Sequence, residues 1–472
     1  MTRSAPASNT PTRLAWLRPE RVFLAVGLVF GLMNLFLNPP FQAPDEPDHF
    51  FRAFQLSEGK LVGVRRGQQS GGDLPLPIMA VADTEGIAFH PEKKMSVAII
   101  QKKLAPAEVD WTHAPRGYAH FPHTVVYSPV TYAPQIVALG LGKVVSAGPL
   151  LLLYLCRLAV LGAYLLVGWL ALRRLPVRTW SCLLLLMVPM SLYLGSATAA
   201  PDSLLNCLAF LLVALAVAAL ARPAEAPERM GELVGFGLAV ALVAILKNVY
   251  LPLGLAALLL RLTRISTPRR RVIFGITTLL VAVLPVLVWS QFVSAAWVVG
   301  RSDIPIDPVA QARHVVGDPL GFLALVGHTL HVEGVPLYRS FVGLLGWGDT
   351  DMPEWFYRAF GIGFVLCLLA ESSRDDHVSW SHRGLFAVAV VGSLLLVFLA
   401  QYSLWNAPGS TGPIEGVGGR YFLPMAPFLV FCAPPIRWVG VPSGVIAAGA
   451  AILTVLCGAV TVYAVVARYY VS

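Results

Sequence analysis

Three carboxylates and a histidine lie within the five residues from Asp45 to His49, in a Pro-Asp-Glu-Pro-Asp-His sequence that starts at Pro44. This cluster closely follows the first long apolar run, residues 22–37. A membrane span that ends in such a cluster places ionisable groups at the membrane surface, where a reaction on a lipid head group takes place. A carboxylate there can serve as a general base, because it can take a proton from an acceptor hydroxyl.

The same residues also predict the start of a helix. Asp45 can cap it, Pro47 fits a first turn, and Asp48 stands three residues after the cap, as in a capping box. Apolar and polar residues then alternate as far as Gly59, which predicts a short amphipathic helix lying on the bilayer. In this alternative the two aspartates only cap the helix and pair with Arg52. Because further ionisable side chains crowd the same turn, both interpretations stay open.

The composition is that of an integral, polytopic membrane protein. The 472 residues are 56% hydrophobic and 13% charged, the mean hydropathy is +0.69, and apolar runs recur from end to end. This balance excludes a soluble globular protein. The net charge of +9 reflects the Lys and Arg expected in cytoplasmic loops, so binding of nucleic acid is not predicted. All six cysteines lie in apolar runs without a CxxC motif, which predicts buried thiols and no disulfides.

Charge placement predicts the topology. The arginines of residues 1–21 predict a cytoplasmic N-terminal tail, so the first span carries the acidic cluster to the external face. Residues 22–472 form one transmembrane domain, an all-α bundle of roughly 11 spans with an external C-terminus and large external loops at about 39–148 and 293–354. The predicted spans are residues 22–37, 149–172, 180–195, 204–221, 233–246, 249–260, 272–292, 355–369, 385–402, 421–431 and 441–467.

The first external loop is long and contains many aromatic residues, which predicts a folded loop that carries surface helices. Its last apolar segment, residues 127–145, is predicted to lie on the outer surface. The span that follows ends in Arg173 and Arg174, which belong inside, so that span must start outside. Three histidines of the loop, His113, His120 and His123, have no fourth ligand in the sequence, so we expect scattered surface histidines and no metal site.

Further polar residues meet the acidic cluster on the external face of this topology: Asp202 in an Ala-Pro-Asp-Ser turn, Lys247 between two short spans, and Arg420 in a Gly-Gly-Arg-Tyr-Phe-Leu-Pro sequence. Carboxylates beside Lys and Arg suit the transfer of a sugar from a lipid phosphate. One carboxylate would act as the base, while Lys and Arg would hold the leaving phosphate and offset its developing charge.

Each of these residues has a plainer interpretation as well. Asp202 follows a proline and can cap the next helix, and Lys247 can extend to the membrane interface as lysines near span ends usually do. Arg420 lies outside on this topology, where arginines in short loops are disfavoured, and this favours a functional role. Trp405 fits an interface belt of tryptophans.

Taken together, these motifs resemble the GT-C membrane glycosyltransferases, the class that includes protein O-mannosyltransferases and lipid A aminoarabinose transferases. More closely, they resemble a bacterial membrane family labelled as a domain of unknown function and grouped with that class. The resemblance extends over most of the chain, and the sequences that carry it are Ala43-Pro44-Asp45-Glu46, His49-Phe50, Arg52-Ala53 and Gly419-Arg420-Tyr421-Phe422-Leu423-Pro424.

The resemblance implies a GT-C-like bundle in the bacterial plasma (inner) membrane that uses a polyprenyl-phosphate-linked sugar on its external face. The acceptor would be a cell-envelope glycan, lipid or protein. Asp45 would be the catalytic base or a carboxylate near a metal, and Glu46 its catalytic neighbour. The implied contacts with the donor phosphate and substrate are His49, Arg52, Lys247, Arg420 and Tyr421.

A cofactor is not required by these motifs, although some GT-C enzymes use a divalent ion. Asp48 and Asp202, as supporting carboxylates, could join Asp45 and Glu46 in binding Mg²⁺ or Mn²⁺ through oxygen. The chain departs from the family pattern at two places. Relatives often open the surface helix with His-Pro-Pro, where this chain has Tyr127-Ser128-Pro129, and Gly419 stands where close relatives have Gln.

The resulting hypothesis is an inverting glycosyltransferase, since a one-step displacement by a base-activated hydroxyl inverts the anomeric centre. One alternative is a transporter or flippase of lipid-linked saccharides, which would need mid-span ionisable or helix-breaking residues and repeated halves. The carboxylates at the surface favour the enzyme. The other alternative is a non-catalytic envelope assembly protein, which would tolerate alanine at Asp45.

Overall fold

A computed structural model describes residues 17–105, 108–223, 229–256, 267–299, 304–372, 378–436 and 440–471. Most of the predicted cytoplasmic tail, residues 1–16, and the end of the predicted span 249–260 lie outside this part of the chain. Helices dominate the described residues, as predicted, and all six cysteines are free thiols, five of them buried.

The helices follow in chain order and are numbered here for reference. They are α1 Pro19–Leu37, α2 Glu46–Ser57, α3 Leu76–Val81, α4 Val97–Leu104, α5 Ala133–Val144, α6 Pro149–Arg174, α7 Thr179–Leu186, α8 Pro189–Leu194, α9 Asp202–Leu220, α10 Met230–Leu246, α11 Pro268–Val293, α12 Pro308–Gly317, α13 Pro319–Val332, α14 Gly334–Gly343, α15 Glu354–Ser372, α16 Trp380–Trp405, α17 Ala426–Cys432 and α18 Ser443–Tyr470. Short 3-10 helices lie at Pro129–Tyr132, Asn248–Ala256, Ser294–Ala296 and Gly419–Phe422.

Seven helices in the described part of the chain are long and apolar enough to cross a membrane. They are α1, α6, α9, α11, α15, α16 and α18, and each contains all or nearly all of one of the predicted spans. Helices α12 and α13 meet at an angle of 105° and count as an eighth span only if the bent pair crosses as one. This fold is an all-α integral membrane bundle, as the composition predicted.

Four of the eleven predicted spans are short or broken helices. Residues 180–195 divide into α7 and α8 because Pro189 cannot continue the first helix. Residues 249–256 form a 3-10 helix around Pro252, and α17 has only seven residues. Helix α10, with 17 residues, is about 25 Å long, somewhat less than the ~30 Å hydrocarbon core. Among the described residues, seven of the predicted spans are therefore full-length helices and four are shorter or broken.

The first large loop is folded, as predicted, and it also contains a sheet that was not predicted from its sequence. Strands β1 Val64–Arg66, β2 Gln69–Pro75 and β3 Arg116–His120 pair antiparallel in that order. Gly71 lies so close to β3 that a Cβ there would stand 1.8 Å from the carbonyl oxygen of Ala119. A second ladder joins β4 Leu344–Leu345 to β5 Thr350–Asp351.

The 127–145 segment of this loop forms a 3-10 turn followed by α5. The 12 residues of α5 span about 18 Å, which is too short to cross the hydrocarbon core. This length agrees with the prediction that the segment stays at the surface.

Helix α2 differs from the predicted helix on the bilayer. Most of its side chains are buried inside the protein, including Phe50 and Phe54, which are fully buried. Asp45 precedes the helix with a φ of 57° and makes no side-chain capping bond. The cap and the surface position were therefore wrong, because the helix packs against α5 and β2 and uses its polar residues for internal contacts.

Close helix packing forms the centre of the bundle. Gly27 and Gly31 of α1 face α6, where an added Cβ would lie 2.8 Å from Leu165 and 2.7 Å from Leu161. Small residues at such contacts allow membrane helices to approach closely. Helix α11 is the least buried of the seven long helices, so its apolar side chains are available to lipid.

Candidate active site

One cavity brings together six of the nine residues predicted to form the site. It has a volume of about 520 Å³ and lies between the loop before α2, the start of α9, the end of α10, α16 and the 3-10 helix Gly419–Phe422. The predicted site residues that line it are Asp45, His49, Asp202, Lys247, Arg420 and Tyr421. This arrangement agrees with the prediction that these residues meet on one face.

Asp45 and Arg420 form an ion pair across the cavity, with 3.1 Å between the carboxylate Oδ2 and the guanidinium Nη2. The side chains are 40% and 25% exposed, respectively, so both remain accessible from the cavity. Asp45 adopts the left-handed backbone conformation, which is uncommon outside glycine but tolerated by Asp. Such a conformation at a site that faces a cavity is typical of functional positions.

Lys247 and Asp202 form a second ion pair, with 3.0 Å between Nζ and Oδ1. Asp202 is the first residue of α9, where the helix dipole favours a negative charge, and Lys247 directly follows α10. The aromatic ring of Tyr421 lies near both cations: its centroid is 5.0 Å from Lys247 Nζ and 5.4 Å from Arg420 Cζ. The cations of the two pairs therefore lie beside the same aromatic ring.

His49 lines the same cavity and is 6% exposed. Its Nδ1 is 2.7 Å from the hydroxyl of Tyr132, and its ring is parallel to that of Tyr127 at a centroid distance of 6.0 Å. Burial lowers the pKa of His49 to about 4, against the opposing charges of Asp202 and Asp45. The imidazole is therefore neutral at pH 7 and can accept or donate a hydrogen bond.

The two aspartates of the acidic cluster have different environments. Burial raises the pKa of Asp45, but the ion pair with Arg420 outweighs this effect and holds the pKa below its usual value. Burial and the neighbouring charge of Asp45 raise the pKa of Asp48 to about 7. Asp48 does not line the cavity. Its predicted supporting role is therefore not based on a direct contact with the cavity.

Glu46 and Arg52 are turned inward and do not line the cavity, contrary to their predicted roles in catalysis and donor binding. Glu46 is fully buried, and its carboxylate binds Arg157 and accepts the backbone N–H groups of Phe41 and Ala199. Arg52 is also fully buried and donates to the carbonyl oxygens of Leu61 and Tyr127 and to Gln55. These partners occupy both side chains inside the protein, away from the cavity.

The predicted carboxylate set for a divalent ion does not form a common ligand group. In the part of the chain that the structure describes, no three His, Cys, Asp or Glu side chains come together as a metal site. Asp45 and Asp202 each bind a cationic side chain, and Glu46 is buried with Arg157.

The three loop histidines are scattered, in line with the prediction. His113 contacts Asp110, and His120 contacts Ser70. His123 lines the cavity, which its sequence position gave no reason to expect.

Several other cavity residues were also missed. Trp405, which was assigned to an interface belt, lines the cavity with Gln401 and Asn248. Gly419 has a clear structural reason to be glycine, since a Cβ there would lie 2.1 Å from Leu337 O and 2.2 Å from Phe341 N. A glutamine has no room at this position in the present structure.

Comparison with known proteins adds a family match and one structural likeness. The family model described as "Predicted membrane protein (DUF2142)" matches residues 28–429. No curated protein matches the sequence significantly. The crystal structure of ArnT from Cupriavidus metallidurans bound to undecaprenyl phosphate is similar, with a TM-score of 0.33 and 15% sequence identity, over 96% of this chain and 78% of that one.

Proposed function

The chain belongs to the DUF2142 family of predicted membrane proteins, and from its cavity we propose that it is a membrane glycosyltransferase. It would move a sugar from a polyprenyl-phosphate donor to a cell-envelope glycan, lipid or protein on the outer face of the bacterial plasma membrane. The observation that carries the proposal is the pair of cation–carboxylate contacts, Arg420 with Asp45 and Lys247 with Asp202, facing one cavity.

The two cations suit a donor phosphate. Arg420 offers planar guanidinium donors that match phosphate oxygens, and Lys247 adds a compact charge. Each cation is now held by a carboxylate, so a phosphate that enters the cavity competes with Asp45 and Asp202 for them. Tyr421, whose ring lies near both cations, keeps the two charges beside the same space.

A second, mostly apolar cavity supports a lipid donor. It has a volume of about 410 Å³, lies between α10 and α11, and shares Lys247, Asn248 and Trp297 with the first cavity. Since α11 is the least buried of the long helices, an isoprenoid chain could enter this space from the bilayer while its phosphate lies beside Lys247.

In the proposed reaction, the acceptor hydroxyl oxygen bonds to the anomeric carbon of the donor sugar. The bond from that carbon to the phosphate oxygen breaks, and its electron pair stays on the phosphate, where Arg420 and Lys247 offset the charge. The hydroxyl proton passes to Asp45. This single displacement inverts the anomeric configuration.

Donor binding itself would prepare the base. In the free protein Arg420 holds the pKa of Asp45 low, which makes the carboxylate a weak base. When Arg420 turns to the phosphate, Asp45 loses its nearest positive partner and its proton affinity rises. A divalent ion is not part of this scheme, and any requirement for Mg²⁺ or Mn²⁺ would have to be met by a rearranged or substrate-assisted ligand set.

The test compares cells that carry the wild type with cells that carry Asp45→Asn at equal protein level. Envelope glycans and polyprenyl-phosphate sugars are profiled by mass spectrometry. We expect one sugar to disappear from a glycan while its polyprenyl-phosphate donor accumulates. The matched control is Asp110→Asn, an exposed aspartate of the same loop that contacts His113.

Unchanged profiles in Asp45→Asn would reject the transferase. They would favour the envelope assembly protein, which needs no base. Accumulation of the lipid-linked saccharide on the inner leaflet in a strain lacking the protein would instead favour the flippase.

A further inference from the structure

The hairpin of β1 and β2 carries exposed basic and apolar side chains that the proposed reaction does not use. Residues 60–75 are called the basic hairpin here. Its exposed apolar side chains are Leu61, Val62 and Val64, at 50%, 37% and 48% exposure. Arg65 and Arg66 follow them directly and are exposed as well. Among the described residues, β1 pairs with β2 alone, so it is an edge strand with one side uncovered.

The end of α11 fixes the position of the basic hairpin relative to the membrane. Ser70 Oγ donates to the carbonyl oxygen of Ala296, and a Cβ on Gly63 would lie 3.6 Å from Ala296 Cβ. Ala296 is the last residue of the candidate span that begins with α11. The 26 residues of α11 span about 39 Å, which exceeds the ~30 Å hydrocarbon core and approaches the ~40–45 Å of the bilayer with its head groups. The hairpin therefore contacts this span at the level of the head groups.

The charges of the hairpin favour an anionic partner. Four basic and two acidic side chains lie on the hairpin, on the end of α2 and on β3: Lys60, Arg65, Arg66, Arg116, Glu58 and Asp73. Asp73 pairs with Arg66 at 3.0 Å. Glu58 pairs with both Lys60 and Arg116. Arg65 has no carboxylate partner among the described residues, and its Nε donates to the carbonyl oxygen of Gly67 at 2.9 Å. Its charge is therefore available to an external anion.

An anionic phospholipid matches both kinds of side chain. Apolar side chains at the membrane surface insert among the acyl chains, while long basic side chains keep their charge at the head groups. The guanidinium of Arg65 offers planar donors that fit phosphate oxygens, and basic side chains near a membrane are attracted to anionic lipids. A soluble anion would satisfy Arg65 but leave Leu61 and Val64 in water.

The basic hairpin also lies near the apolar cavity between α10 and α11. Ser294 and Trp297, which stand on either side of Ala296 in the chain, line that cavity. A phospholipid held by Arg65 and the proposed donor lipid would therefore place their phosphates in the same layer of the membrane. The donor lipid is for this reason the natural competitor at the hairpin.

We propose that the basic hairpin binds an anionic phospholipid of the adjacent leaflet, with Arg65 at the lipid phosphate and Leu61 and Val64 among the acyl chains. The bound lipid would hold the first large loop against the membrane surface beside the end of α11. This binding requires neither a sugar nor a reaction, so it is independent of the proposed function.

Short-range fluorescence quenching measures the contact. The full chain with Val64→Cys is labelled with the fluorophore NBD and placed in phosphatidylcholine nanodiscs. The nanodiscs contain a small, fixed mole fraction of a spin-labelled lipid, either phosphatidylglycerol or phosphatidylcholine. The wild type treated in the same way gives the background from the native cysteines, five of which are buried. We expect both lipids to quench the label, and phosphatidylglycerol to quench it at least twofold more strongly.

Variants in the labelled chain separate the charge from the apolar contact. Arg65→Gln should make the two lipids quench equally, whereas Arg65→Lys should keep the preference for phosphatidylglycerol. Arg313→Gln is the matched control, because it removes the same charge from an exposed arginine of α12, and it should also keep the preference. Leu61→Asn should weaken quenching by both lipids.

Several outcomes would overturn the inference. Absence of quenching would place the hairpin in water, where its arginines would only keep the edge strand from pairing with another chain. Equal quenching by the two lipids in the labelled chain, or loss of the preference in Arg313→Gln as well, would mean that the hairpin has no site for an anionic lipid. One molecule of undecaprenyl phosphate per chain should leave the preference unchanged. Loss of the preference at that amount would assign the hairpin to the donor lipid.

Discussion

Glu46 and Arg157 form an ion pair in which both side chains are fully buried, with 2.6 Å between Oε2 and Nη2 and 2.8 Å between Oε1 and Nε. Arg157 also donates to three carbonyl oxygens between Leu35 and Pro39. One guanidinium thus joins α6 to the end of α1 and to the start of α2. Since Asp45 directly precedes Glu46, this pair positions the proposed base.

Replacement of Glu46 by glutamine should destabilise the fold rather than the chemistry. The substitution keeps the side-chain shape but leaves Arg157 as a buried charge without a counterion, which costs about 3–5 kcal/mol. We expect a marked loss of folded protein and a lower melting temperature in detergent. The exposed Glu92, paired with His90, is the control, and Glu92→Gln should melt as the wild type does.

A Glu46→Gln protein that is as stable as the wild type and inactive would contradict this assignment. It would return Glu46 to the catalytic role that the sequence suggested.

The Lys247–Asp202 pair allows stability and donor binding to be separated. Lys247→Met leaves the Asp202 carboxylate without its counterion, so we expect a lower melting temperature and weaker donor binding. The double variant Lys247→Met/Asp202→Asn should recover most of the stability, because no unpaired charge remains. Its KM for the donor should stay raised about 10- to 100-fold, since a lost hydrogen bond to a charged group costs about 1.5–3 kcal/mol.

Thermal unfolding and donor kinetics of the wild type and the two variants measure the two effects. A double variant that recovers donor affinity together with stability would show that Lys247 only neutralises Asp202. The donor phosphate would then have to be held by Arg420 alone.

Six of the cavity residues were predictable because ionisable side chains are rare in so apolar a chain. Placement of the arginine-bearing loops on one side left Asp45, Asp202, Lys247 and Arg420 on the other. Their convergence then followed from topology alone, without any knowledge of the packing. The seven full-length spans were predictable for a similar reason, since each is a long apolar run.

What the sequence could not show is which ionisable group faces the cavity. Glu46 stands next to Asp45 and has the same chemistry, but its partner Arg157 lies 111 residues further along the chain. No local pattern connects the two. Arg52 was misjudged for the same reason, since its partners Leu61 and Tyr127 are backbone carbonyls that only the tertiary fold brings near.

Trp405 and His123 illustrate a different limit. A tryptophan at a span end is normally part of an interface belt, and a histidine in a long loop is normally solvated. Their parallel rings at the cavity wall depend on how the loop before α5 folds against the end of α16. Because Trp405 and His123 lie far apart in the sequence, no local pattern indicates that their rings meet.

Asp48 should make stability depend on pH in a defined direction. Its pKa is about 7 in the folded protein, above the ordinary value of 3.8, because of burial and the charge of Asp45. Between about pH 4 and 7 the folded state keeps a proton that the unfolded state releases, so stability falls as pH rises and levels off above pH 7. Asp48→Asn removes this cost.

The melting temperatures of Asp48→Asn and the wild type in detergent measure the effect. Their difference should grow from pH 4 to pH 7 in favour of the variant and then stay constant. In an Asp45→Asn background the growth should be smaller, because one cause of the raised pKa is absent. Asp110→Asn serves as the control, since the pKa of this exposed aspartate is lowered by its contact with His113 and no gain with rising pH is expected. A constant difference for Asp48→Asn would mean an ordinary pKa.

Gly419 and Gly418 offer a matched test of how Arg420 is held. An added Cβ on Gly419 would lie 2.1 Å from Leu337 O, in backbone that cannot move without shifting α14, whereas on Gly418 its nearest neighbour is Arg420 Cγ at 3.9 Å. Gly419→Ala should therefore displace the 3-10 helix and the guanidinium, and raise the KM for the donor at least tenfold. Gly418→Ala should bind donor as the wild type does.

Because the Gly419 N–H also donates to Ser340 Oγ at 2.7 Å, Ser340→Ala should show a weaker form of the same defect. Normal donor kinetics in Gly419→Ala would mean that the position of Arg420 does not depend on this contact, and that the proposed phosphate site tolerates movement of its arginine.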